Sequence, residues 1–230
     1  MESILTNEEI GYVKFFLHKK KHFYFEVQVE VMDHFFSVLE EEKPKYPSMV
    51  FSDLVSQVYN KCAKELNSIQ ISLERRLQSK YNYVFVKEIV KPLTKKSLIM
   101  VILSVIVLFY LQVLLHEYIS AQGFYLIVAA INLVVLFKYM APSDLLNGNY
   151  LTENIASNYG MVPWIFSMFS FMIIKYAAPA ITTSGFNVTY LIVAMALVIK
   201  SMLINAMIQT SHAGVKECLT MEPASEALNA

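Results

Sequence analysis

The stretch SLIMVILSVIVLFYLQVLL, from Ser97 to Leu115, contains no charged residue across its 19 positions. As a helix rising 1.5 Å per residue it extends about 28 Å, close to the roughly 30 Å hydrocarbon core of a bilayer. A soluble core helix of that length would need a polar face, and this one has none. The spacing therefore predicts a membrane span. Everything before it reads differently from everything after it.

Downstream, three further uncharged stretches follow. One runs from about Tyr118 to Phe137 after His116-Glu117. One runs from about Met161 to Ile181, with Trp164 near one end as an interfacial anchor, and the last from about Phe186 to Ile208. Thr182-Thr183-Ser184-Gly185 leaves room only for a tight hairpin between the last two. Spans are expected at about 97–116, 119–139, 161–181 and 186–208.

Charge divides the chain in the same way. Of its 19 Lys and Arg residues, 15 fall between Lys14 and Lys96, and only Lys138, Lys175, Lys200 and Lys216 follow. Charged residues make up 17% of the chain, against about 25% in an ordinary soluble domain, and the deficit lies after residue 96. Lys87, Lys91, Lys95 and Lys96 crowd the start of the first span. The loops around 116–122 and 182–187 hold no Lys or Arg. Positively charged flanks stay in the cytosol, so both termini are expected there. The acidic N-terminus lacks a basic segment followed by an apolar one, so no cleavable signal peptide is expected. Two distant cysteines, Cys62 and Cys218, without a C-x-x-C spacing suggest neither a disulfide framework nor a zinc site.

Upstream, helix signals dominate. Thr6-Asn7-Glu8-Glu9 fits a capping box, Ile10, Val13 and Leu17 form a stripe, and Lys19-Lys20-Lys21 supplies cations for the helix end. A second helix is expected from about Phe23 to Glu42, with Val27, Val31, Phe35, Val38 and Leu39 on one face. Pro44 and Pro47 break it. A third is expected from Ser52 to Leu66 and a fourth from about Ile69 to Val90. The expected architecture is all-α. A cytosolic bundle of three to four helices (1–95) precedes a four-helix transmembrane bundle (96–212) and a short, disordered cytosolic tail (213–230).

Two groups of residues bear on function. Glu30, Asp33 and His34, with Glu26, fall on neighbouring turns of the second helix and could converge. A metal site would need a partner from another element, and none is evident, so these residues are read as a solvated acidic face that fixes packing. Lys175 and Lys200 fall inside predicted spans, where an ionisable residue is a functional candidate. Neither span holds an Asp or Glu and each lysine lies off the midplane, so snorkelling to the head groups is the favoured reading. The run Lys19-Lys20-Lys21-His22 could meet anionic head groups or nucleic acid, but three consecutive lysines point in different directions around a helix, and the run is read as a helix-ending charge run. No catalytic, cofactor or metal residue is expected, and no nucleic-acid partner.

The segment Glu30-Val31-Met32-Asp33-His34-Phe35-Phe36, continued by Glu40-Glu41-Glu42 and by a Pro-x-x-x-Phe at Pro47 to Phe51, resembles the N-terminal helical domain of uncharacterised bacterial membrane proteins with an "E-V-x-D-H-F … E-E" signature. More distantly it is similar to HAAS-type and permease-prefix domains. The resemblance covers about Phe23 to Leu66. It implies a bacterial cytoplasmic-membrane protein whose helical domain pairs with a regulator or another membrane protein, with Asp33 and His34 at its distinctive positions. The bilayer is the expected environment, and the expected partner is a protein on the N-terminal domain or a second copy of the chain. A non-enzymatic signalling or interaction module is the leading expectation. A small transporter or its accessory subunit is the alternative, and a membrane enzyme is third.

Overall fold

Thr6 opens the first helix as its sequence dictates. Its hydroxyl accepts from the Glu9 amide at 3.3 Å, and the Glu9 carboxylate accepts from the Thr6 amide at 2.8 Å. Two amides that a helix start leaves orphaned are thus paired reciprocally. In the computed structural model, α1 (Asn7–Lys19) is followed by α2 (Phe25–Glu42) and, after the prolines, by α3 (Phe51–Val90). α4 (Lys95–Leu115), α5 (Ala121–Tyr139), α6 (Leu151–Ser157), α7 (Met161–Ala177) and α8 (Val188–Asn229) complete the chain. The structure describes residues 5–20, 24–139, 149–177, 182–183 and 186–229. Within these, the side chains of 95–96, 133, 135–139, 177, 182–183, 186–187 and 222–229 are outside the description. Lys21, His22 and residues 140–148 of the segment between the second and third expected spans therefore lie outside the described residues.

The chain divides into two compact units, Met1–Ser79 with Asp144–Ile155 and Glu217–Ala230, and Lys80–Ser143 with Ala156–Lys216. Each unit is built from separate stretches of the sequence.

In the first unit, α1, α2 and α3 bury Val13, Leu17, Val27, Val31, Phe35, Leu39, Val55 and Leu66. The Tyr59 ring of α3 meets Phe16 of α1 edge-on at 5.4 Å and Phe35 of α2 at 6.2 Å. Large side chains buried this way contribute about 1.5–3 kcal/mol each. Two expected helices, Ser52–Leu66 and Ile69–Val90, are one. Residues 51–90 contain neither Gly nor Pro, so Asn67-Ser68 does not interrupt the backbone ladder, and Ser68 merely returns its hydroxyl to the Glu65 carbonyl at 2.7 Å.

In the second unit, Phe124, Tyr125, Ile174, Val193, Ala196 and Leu197 form one apolar cluster, and Phe85, Ile204, Ala206, Met207 and Ile208 form another. Small residues such as Ala194, Ala196 and Ala206 let helix backbones approach. The outer faces are apolar as well: Ile99 and Leu114 on α4, and Met168 and Phe169 on α7, are all exposed. A soluble protein would not leave such a continuous apolar surface open, whereas a bilayer covers it. Ser97–Leu115, Leu151–Tyr176 and Val188–Met221 are each long and apolar enough to cross a membrane. The chain is an all-helical membrane protein with three such candidate spans. In α5 the described apolar stretch, Ala121–Asn132, is shorter.

Thr182–Thr183 and Phe186–Asn187 pair antiparallel, Thr182 opposite Asn187 and Thr183 opposite Phe186, where a tight hairpin is expected. The tail expected to be disordered is instead helical, since α8 continues to Asn229 and buries Cys218 completely.

Candidate functional site

α2 turns Val27, Val31, Phe35 and Leu39 inward, which leaves its acidic residues at the edges of the helix. Two ion pairs and one imidazole–carboxylate contact link it to α3: Glu30 to Arg76 at 3.8 Å, Glu42 to Lys61 at 2.7 Å, and His34 to Glu65 at 3.3 Å. Glu30, Asp33 and His34 do not come together, since Glu30 and His34 meet different residues of α3. Each takes its own direction, and Asp33 is exposed, its carbonyl accepting from the Ser37 hydroxyl at 3.0 Å. Among the described residues no group of three or more His, Cys, Asp or Glu is placed to hold a metal ion.

Glu42 bridges two lysines. The Lys61 hydrogen bond, followed by that of Lys45 at 3.2 Å, holds its carboxyl below the usual range, and the same contact raises Lys61. For Glu9, burial pushes the carboxyl up, but the Lys43 ammonium at 2.8 Å and the Thr6 amide outweigh it and lower the pKa. Burial raises the Cys62 thiol, which makes it a poor nucleophile. Lys19 lies over the Phe15 ring at 4.5 Å, and Lys20 over the Phe16 and Tyr59 rings. These two members of the lysine run are thus engaged with aromatic faces.

The residue that sequence reasoning undervalued is Glu26. Its Oε2 accepts from the Leu151 amide at 2.9 Å and its Oε1 from the Thr152 amide at 3.0 Å, which caps α6 from a distant part of the chain. The Phe25 amide donates to the Asn149 carbonyl at 2.9 Å, and the Phe25 and Tyr150 rings meet edge-on at 5.8 Å. Glu26, Glu30, Arg76, Thr152 and Glu217 border a cavity of about 250 Å³ in this unit. Thr152 is fully buried, and its hydroxyl has no hydrogen-bond partner among the described residues.

The two intramembrane lysines differ. Lys175 is exposed in the last turn of α7, its ammonium 5.7 Å from the Tyr176 ring centroid. Lys200 is 5% exposed, with its ammonium 3.5 Å from the Ala129 carbonyl of α5. Burial of that kind is the opposite of snorkelling. Beside it, Asn132 of α5 donates to the Ser201 hydroxyl at 3.2 Å. In α4, buried Gln112 donates to the Tyr190 carbonyl of α8 at 3.1 Å. Comparison with protein-family models, with curated proteins and with solved structures yields no match.

Proposed function

We propose that this membrane protein is a non-enzymatic interaction or signalling module, in which the helical first unit docks a protein partner. The observation that carries the reading is an exposed aromatic and aliphatic patch on that unit. Phe15 is 59% exposed and Val50 64% exposed, with Tyr12 and Met49 also open beside Phe51, against which the Tyr12 ring packs at 6.1 Å. Aromatic side chains left open on a unit that has already filled its core are the residue types that anchor protein interfaces. The resemblance of Phe23 to Leu66 to helical domains that precede membrane spans supports the same reading. So does the finding that Glu30, Asp33 and His34 serve separate contacts rather than one chemical site.

In this proposal α5 is a fourth span, both termini face the cytosol, and the membrane is a bacterial inner membrane. The lysine-rich start of α4 and the lysine-free turn after it support that orientation. Cysteines placed at Ser120 and at Lys91 would be labelled from opposite sides. Labelling from the same side would defeat the topology.

The docking role is tested by crosslinking the full chain in native membranes and comparing it with Phe15→Glu and Val50→Glu. Partners lost from both variants, at unchanged membrane levels, are the expected result. An unchanged partner set would overturn the role of this patch.

A second reading, a small transporter or its accessory subunit, draws on Lys200, a buried cation with no carboxylate partner among the described residues. Unaltered transport and growth with Lys175→Met and Lys200→Met combined would dismiss it.

A further inference from the structure

A groove of about 630 Å³ runs along the second unit, bordered by Ser97 to Leu108 of α4, Val128 of α5, and Val198 to Asn205 of α8. Its length follows from the α4 residues that line it. From Ser97 to Leu108 the helix rises about 16 Å, which is close to half of the roughly 30 Å hydrocarbon core, the depth of one leaflet.

The groove is polarised along that length. Gln112 of α4 meets Tyr190 of α8, Ser97 lies fifteen residues before the first and Asn205 fifteen after the second. Antiparallel helices of equal rise therefore place Ser97 and Asn205 at one level, at the start of α4. Asn205 is exposed in the groove, and its carboxamide has no hydrogen-bond partner among the described residues. At the other end the lining is Val107, Leu108 and Val128.

Charge is concentrated at the polar end. In sequence, Lys87, Lys91, Lys95 and Lys96 fall within the ten residues that lead into Ser97, with Glu88 as the one acid among them, paired with Lys91 at 3.0 Å. An apolar trough one leaflet deep, with a carboxamide at its mouth and an excess of cations beyond it, matches one molecule in charge and length. We propose that the groove holds one acyl chain of an anionic phospholipid, with its glycerol ester region at Asn205 and its headgroup at the lysines that open α4. The lysines before Ser97 outnumber the one acid among them, Glu88, so an anionic lipid is the occupant that charge favours.

The test uses the full-length protein, delipidated in mild detergent and offered phosphatidylglycerol or phosphatidylcholine with identical chains. Native mass spectrometry should show phosphatidylglycerol retained in preference. Lys95→Gln and Lys96→Gln should each lower that preference about fivefold, and Ser104→Trp, which fills the groove, should abolish retention. Because a bulky variant can misfold, a phosphatidylglycerol carrying a photoreactive group in its acyl chain is also crosslinked to the unaltered protein. Labels should map to Met100–Leu108 and Val198–Asn205. Equal retention of the two lipids, labels confined to the outer face of α7, or crosslinks between copies through the groove would each overturn the proposal.

Discussion

Glu26 on α2 holds the Leu151 amide at 2.9 Å, joining residues 125 positions apart. With its other oxygen on the Thr152 amide, the carboxylate satisfies two of the orphan donors at the start of α6. α6 has only seven residues and cannot persist on its own propensity, so this contact and the burial of Tyr150 and Leu151 define it.

Glu26→Ala removes two charge-assisted hydrogen bonds and is expected to destabilise the first unit by about 1–3 kcal/mol. Hydrogen exchange at the Leu151 and Thr152 amides should accelerate while exchange in the middle of α3 changes little. Unchanged protection at those two amides would show that the cap carries no weight.

Glu42 gives the first unit an acid limit. Folding lowers its carboxyl below the ordinary value of 4.5, so its contribution is present above 4.5 and is lost as pH falls through the lowered folded value. Lys61 is raised above 10.5, so its contribution is present below 10.5 and is lost as pH rises beyond the raised value. Thermal unfolding of Glu42→Gln should therefore lose part of the wild-type fall in stability below pH 4.5. Parallel wild-type and variant curves would contradict this.

His34 and Phe35 are neighbours with opposite expectations. The His34–Glu65 pair is exposed on both sides, so His34→Ala should cost less than about 1 kcal/mol. Phe35 is fully buried against Tyr59, and Phe35→Ala should cost about 3–5 kcal/mol. Denaturant midpoints of the two variants measure the contrast. A His34 variant as damaging as the Phe35 one would reveal a role that the geometry lacks.

Lys200 buries a cation whose described contact is one carbonyl at 3.5 Å, and Lys200→Met keeps the volume while removing the charge. A charge buried without a compensating partner is costly, and an apolar side chain of similar size removes that cost. The melting temperature of the full chain in detergent is expected to rise. A drop of several degrees would show that the ammonium is held by more than Ala129.

The membrane class of this chain, its helical character and the helix start at Thr6 were legible in the sequence. They depend on local quantities: an uncharged run long enough for a bilayer, helical periodicity in Val27, Val31 and Phe35, and a capping box closed within four residues. The continuity of α3 is also a local property, since residues 51–90 contain neither Gly nor Pro. The remaining features were decided by tertiary structure. Glu30, Asp33 and His34 share one stretch of helix, but their partners are chosen by how α3 packs, which sends two of them to Arg76 and Glu65. Glu26 finds Leu151 across 125 positions, and Lys200 is sealed against α5 rather than reaching for the head groups. Local patterns report what a segment can become at its own scale. Which distant group comes to lie beside a carboxylate or an ammonium depends on packing, where many weak contacts between remote segments act together.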